Sequence, residues 1–216
     1  MGSRSSCPAS PQARIGSIAI LGAVLFSTYC DTPAVAEPFP ATSPAGEVAA
    51  MKGTASATTG DRSRSLEPKS SVFVGETVAT AAGSRMMMRL GQRTTLRLGE
   101  ATRIKIDRYI VDAGGENDHG QGAIQYERGG PKTKEPLPIR SENGLIAVRG
   151  TRFFAGPSRG KFGILVGSGR VEVTSGGKTV TVGPQQGTDI ALPGAPPSKP
   201  GNWSQRRIRE ALRSVR

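Results

Sequence analysis

Between Met88 and Ile106 the apolar residues fall in pairs two positions apart: Met88 and Leu90, Leu96 and Leu98, Ile104 and Ile106. The pairs recur every eight residues, and each brackets a cation, Arg89, Arg97 or Lys105. An α-helix does not place positions i and i+2 on one face, whereas a β-strand must. The pattern therefore predicts half-buried strands, apolar on one face and basic on the other. The intervening GQRT and GEAT stretches carry turn chemistry and leave only four or five residues per strand. Three consecutive strands of this kind line their cations up as a basic ladder.

The second half repeats the grammar. Ile146 and Val148, Ile164 and Val166, Val171 and Val173, Val180 and Val182, and Ile190 and Leu192 form further pairs, separated by GSGR, SGGK and GPQQG. Such spacings are too short for helical crossovers, so the chain reads as all-β, with many short strands and Gly-rich turns. Whether the sheet is a meander, an elongated sandwich or a solenoid stays open. Composition agrees: 29 Gly and 16 Pro with only 5% aromatic residues disfavour a long-helix bundle. Two polar, irregular runs interrupt the strands, Ala113–Gly122 and Gly129–Pro138. After PGAPPSKPG the character changes. Ile208, Leu212 and Val215 have helical spacing, Ser204 is placed to cap, Trp203 to staple onto Ile208, and Arg213 and Arg216 to face the negative end of the dipole.

The first segment reads as an address. Arg4 and Arg14 precede the uncharged run Ile15–Tyr29, and Ala34-Val35-Ala36 supplies the small-x-small pattern of a signal-peptidase site, with the cut before Glu37. Ser27-Thr28-Tyr29 ahead of Cys30 does not suit lipidation; an uncleaved anchor is the alternative. The organisation is then 1–36 signal peptide, 37–46 Pro-rich linker, 47–192 β domain, 193–201 Pro/Gly linker and 202–216 basic amphipathic helix. Cleavage removes both Cys7 and Cys30, leaves a net charge of +11, and makes the product periplasmic, soluble and free of disulfides.

Read in order, these features resemble the FecR family of periplasmic domains. The most specific residues are IAVRGTRFFAG, Ile146–Gly156, with Val148, Arg149, Gly150, Thr151 and Phe153 as a V-R-G-T-x-F core. Upstream, Gly75-Glu76-Thr77-Val78-Ala79-Thr80 looks like the family's G-[DE]-x-[VIL]-x-T turn; downstream, ILVGSGRVEVTSGGKTVTVGPQQGTDI is similar to its closing strands. The resemblance spans about Glu47 to Leu192 and implies an exported all-β domain without catalytic machinery. Its founding members pass a signal from an outer-membrane transporter to a cytoplasmic sigma factor. Here 14 residues precede the apolar run, too few for the helical sigma-binding domain, so the resemblance points to a stand-alone module.

Candidate chemistry is sparse. Arg149-Gly150-Thr151 reads either as a contact for an acidic partner or, more simply, as a bulge that specifies shape. Glu116, Asn117, Asp118 and His119 carry ligand atoms but lack the D-x-D-x-D-G spacing, and their composition is that of a turn, so no metal site is assigned. With no G-x-S-x-G elbow, no cysteine after cleavage and a single histidine, no catalytic residue and no cofactor are assigned, and the chain reads as a non-enzyme. The candidate interaction surface is basic: Arg89, Arg97 and Lys105 on strands, and Trp203, Arg206, Arg207, Arg209 and Arg213 on the terminal helix. The helix either docks on its own sheet or meets an acidic partner. The partner so implied is an envelope protein first, anionic lipid or glycan second; nucleic acid is excluded by the export signal and the lack of interleaved aromatics.

Overall fold

The computed structural model describes residues 44–106, 117–119, 122–130, 137–141 and 143–216. Residues 1–43 lie outside them, and with them the segment read as a leader and both cysteines. Among the described residues there are strands β1 (Pro44–Lys52), β2 (Ala55–Thr59), β3 (Arg62–Leu66), β4 (Ser71–Phe73), β5 (Thr77–Thr80), β6 (Arg85–Leu90), β7 (Thr94–Leu98) and β8 (Arg103–Lys105). Next come β9 (Asn117–His119), β10 (Ile124–Arg128), β11 (Leu137–Ser141), β12 (Gly144–Ser158), β13 (Lys161–Ser175), β14 (Lys178–Val182), β15 (Gln186–Ile190) and β16 (Gly201–Asn202), and then one helix, α1 (Gln205–Arg213). The all-β reading with a short C-terminal helix is what the chain adopts.

The strands form one hydrogen-bonded network in the order β3-β2-β5-β8-β9-β11-β12-β10-β7-β6-β1-β4, from which β13 branches at β12 and carries β14, β15 and β16. Among the described residues every pairing is antiparallel except β9 with β11, which is not the parallel stacking of a solenoid. Inner-face residues as far apart on that path as Ala57, Val78 and Ile104, and Val48, Met88 and Val166, belong to one buried cluster. The six residues of the first three apolar pairs are all buried, at 2% exposure or less. At about 1.5–3 kcal/mol for each large apolar side chain taken out of water, this cluster is the main source of stability.

Several expectations are corrected. The cations do not form one ladder: β6 pairs with β7, but β8 pairs with β5 and β9, so Lys105 is removed from Arg89 and Arg97 by the intervening strands. The apolar period fixes each strand's face but not its neighbour. The N-terminal linker is shorter than read, because Pro44, Ala45 and Gly46 already belong to β1 and Ala45 is buried. Asn117–His119, read as loop, lies on a strand between β8 and β11; Glu116 falls outside the described residues. Leu137 and Pro138, read as irregular, belong to β11. Leu192 is 70% exposed: β15 ends at Ile190, and the chain turns there with the Ala195 N–H donating to the Leu192 carbonyl.

GSGR is not a turn either. Residues 161–175 form one long strand, paired along its length with an equally long β12. Val148 and Phe153 both face the core although they are five positions apart, an odd interval that a regular strand cannot accommodate. Val166 and Val171 show the same odd interval on the facing strand. The register shifts between Arg149 and Arg152, so both strands reverse face together and stay paired, Val148 opposite Val171 and Phe153 opposite Val166. SGGK, by contrast, is the turn expected. Ser175 pairs with Lys178 across Gly176-Gly177, both at positive φ (54° and 71°), as a two-residue hairpin of this hand requires.

Candidate functional site

Two sequence motifs are used up in building the frame. Glu76, at 4% exposure, receives Arg64 at 2.9 Å on each carboxylate oxygen and the Phe73 N–H at 2.9 Å. Arg64 also donates to the Ser71 carbonyl at 2.7 Å and lies over the Phe73 ring. Val78 enters the core, and the buried Thr80 hydroxyl donates to the Gly99 carbonyl at 2.6 Å and accepts from the Thr102 N–H at 3.0 Å. The G-E-T-V-A-T turn is thus a fastening between β4, β5 and β8. In the V-R-G-T-x-F stretch, Val148 and Phe153 are core residues; the side chains of Arg149, Gly150 and Thr151 lie outside the described residues. A bulge re-aims the side chains beyond it. Arg152 and Phe154 emerge on the outer face, where Phe154 is buried by α1.

Nine residues are too few for a helix to persist alone in water, so α1 depends on the surface it packs against. Its cap is as read from sequence: the Ser204 hydroxyl accepts the Arg207 N–H at 3.3 Å. Ile208, Ala211, Leu212 and Val215 form a second apolar cluster with Phe154, Leu165, Ala123 and Trp203. Trp203 seats where two residues have no side chain. A Cβ on Gly163 would come within 2.6 Å of the indole, and one on Gly187 within 2.4 Å. Arg207 stacks on the indole at 3.6 Å from a ring centroid, bonds both carboxylate oxygens of Asp189 (Nη1 to Oδ2 at 3.0 Å) and donates to Ser158 Oγ at 3.1 Å. At the far end a Cβ on Gly99 would meet the Ser214 carbonyl at 2.6 Å. The helix therefore crosses the outer face from β15 to the end of β7.

Trp203 and Arg207 are consequently not free to meet a partner. Both apolar spacing and the cap were legible in the sequence, but the glycine notches and the Asp189 carboxylate that claim these two side chains are distant in the chain. The preceding Pro/Gly linker is likewise strapped to the sheet, Thr188 and Asp189 bonding Ser198 from three directions. Arg209 and Arg213 are exposed as expected, and Arg206 is exposed but bonded to Glu210 at 2.8 Å. Arg159, at the β12–β13 turn, bonds the same carboxylate at 3.0 Å. These two guanidiniums, Arg206 first, hold the Glu210 carboxyl below the usual carboxylate range. On the strands, Arg89 is exposed and reaches Glu47 at only 3.7 Å, Lys105 is exposed, and Arg97 is half-buried.

Between α1 and the outer face lies a cleft of about 490 Å³. Phe154 and Leu165 line its sheet side, and Trp203, Ile208 and Leu212 its helix side. Its polar lining is Gln125, Gln185, Asn202 and Gln205 with two cations, Arg152 and Arg216. No Asp or Glu lines it among the described residues. Sequence reasoning did not find this site. The available signal was the unbroken apolar runs FFA, 153–155, and ILV, 164–166, which mark strands covered on both faces rather than one. No group of three or more metal-ligating side chains comes together among the described residues, and no described helix is long and apolar enough to cross a membrane.

The fold is similar to two solved structures of a candidate anti-sigma factor from Parabacteroides distasonis ATCC 8503, at 2.50 Å and 1.65 Å resolution. Each superposes with a TM-score of 0.50 at 14% identity over 63% of this chain. The match spans 63% and 64% of those chains, a little under two thirds of their length. No curated protein matches the sequence. The family model for the FecR protein matches residues 76–172, beginning at the buried Glu76 and ending within β13, just past the bulge in the β12–β13 pair. Over that stretch the chain is similar to the FecR family.

Proposed function

We propose that the protein is an exported, non-enzymatic FecR-domain module that binds another component of the cell envelope and serves signalling. The observation that carries this reading is the FecR match joined to a docked basic helix, whose Arg209 and Arg213 stay exposed after Trp203 and Arg207 are spent on attachment. A helix held in place presents its outward cations in a fixed array, which favours a partner with complementary acidic groups. The leader and the Ala34-Val35-Ala36 site support export to the periplasm, and an envelope protein is the partner class preferred over anionic lipid or glycan.

A cross-linked pull-down from native envelopes, with mass spectrometry of bait and prey, tests it. One envelope protein enriched by the wild type, and lost when Arg209 and Arg213 are changed to Gln, is the expected result. No enrichment over a control of equal charge would contradict it. A second reading, a membrane-anchored regulator of sigma-factor type signalling that keeps its N-terminus, is favoured by the likeness to a candidate anti-sigma factor. The N-terminus of the purified protein separates the two: Glu37 for the exported module, Met1 for the anchored regulator.

A further inference from the structure

The cleft under α1 holds an unsatisfied polar group. Gln125 is 7% exposed, and its side-chain carbonyl oxygen has no hydrogen-bond donor among the described residues. It sits cross-strand from Phe154, so the orphan amide and the apolar floor share one face of the sheet. A buried acceptor without a donor is destabilising, and a native fold keeps one where something else uses it. Beside it, Arg152 runs over Gly167, whose missing side chain makes room: a Cβ there would lie 2.9 Å from the Arg152 Nε. Among the described residues Arg152 makes no ion pair, even with Glu127 directly cross-strand. The cleft thus offers an apolar floor, a cation aligned by a glycine notch with Arg216 beyond, and a carbonyl awaiting a donor.

We infer that this cleft receives the C-terminal end of a polypeptide: an apolar last side chain on Phe154 and Leu165, its terminal carboxylate on Arg152, and its last amide N–H on the Gln125 carbonyl. A guanidinium suits a carboxylate because both are planar and can bond at two points. The orphan acceptor decides against a fatty acid, whose ionised head brings no donor. The volume lies within the range of about 300–1,000 Å³ usual for such sites. The inference deepens the interaction-module reading by naming the partner's chemistry. Its test uses purified protein, so it stands or falls independently of export and of any envelope pull-down.

The experiment is an NMR titration of the full chain with the tripeptides acetyl-Ala-Ala-Leu and acetyl-Ala-Ala-Phe, each as free acid and as C-terminal amide, with decanoate as a third arm. For at least one free acid, saturable shifts are expected at the Gln125 side-chain amide and at Phe154, Leu165 and Leu212. Binding should weaken at least about tenfold for the amide and for Arg152→Gln, the loss of one charge-assisted bond. Gln125→Leu provides a signature that misfolding cannot imitate. It removes the orphan carbonyl, so Tm rises while affinity for the free acid falls. Absence of saturable shifts at these residues up to millimolar peptide overturns the inference. So does equal binding of acid and amide, and so does decanoate binding as tightly as the peptides.

Discussion

The family-matched body and the C-terminal extension are built by opposite rules. In the body, residues 76–172, the recognisable motifs are turned inward: Glu76 is sealed against Arg64, Thr80 ties β5 to the β7–β8 turn, and the V-R-G-T-x-F stretch drives a paired reversal of face in β12 and β13. In the extension, residues 193–216, nothing matches the family model, and the segment is held by side chains fitted to notches such as those at Gly163 and Gly187. The cleft lies at the join, with Phe154 and Leu165 from one and Ile208 and Leu212 from the other. Motif residues therefore report on the frame, while the cleft needs both parts, its floor and polar groups coming from the frame and its cover from the segment that the frame carries.

The comparison breaks most visibly at Glu76. Changing Glu76 to Ala strands Arg64 and the Phe73 N–H at a nearly closed site, and the expected loss is about 3 kcal/mol of global stability, measured by urea denaturation. Trp203→Ala removes a larger side chain, yet its effect is expected to stop at about 2 kcal/mol and to appear as helix release. A subglobal unit cannot lose more than its own docking free energy. Hydrogen exchange would show α1 amides unprotected while β6, β7 and β12 stay slow; global unfolding instead would mean that frame and extension are one unit. Asp189→Asn weakens the partly exposed Arg207 latch and should cost about 1 kcal/mol, read as faster proteolysis after Leu192. The smallest effect is that of pH. Glu210 is held below the usual carboxylate range, so its contribution is present above its unfolded pKa and lost as pH falls through the lower folded value. Acidification below the carboxylate range should loosen α1 slightly, and Glu210→Gln should remove that dependence.

Much of the frame was legible because burial leaves a period-two trace that a single strand writes for itself. Met88 and Leu90, or Val171 and Val173, needed no knowledge of their neighbours. Neighbours were not legible: Lys105 looked continuous with Arg89 and Arg97, but the chain places β10 beside β7 and sends β8 to β5. The long strands were missed because GSGR reads locally as a turn, although the odd intervals Val148 to Phe153 and Val166 to Val171 carry the parity switch. The site was least legible. Gln125 is an unremarkable polar residue in sequence and becomes informative only once Phe154 and α1 close over it.

The most direct test compares free-acid tripeptide affinity among wild type, Arg152→Gln and an Arg89→Gln, Lys105→Gln double variant. The account predicts loss in Arg152→Gln and unchanged affinity in the double variant, since the site lies at the join and not along the strand cations. Retained affinity in Arg152→Gln with loss in the double variant would contradict it and return the binding surface to the strands.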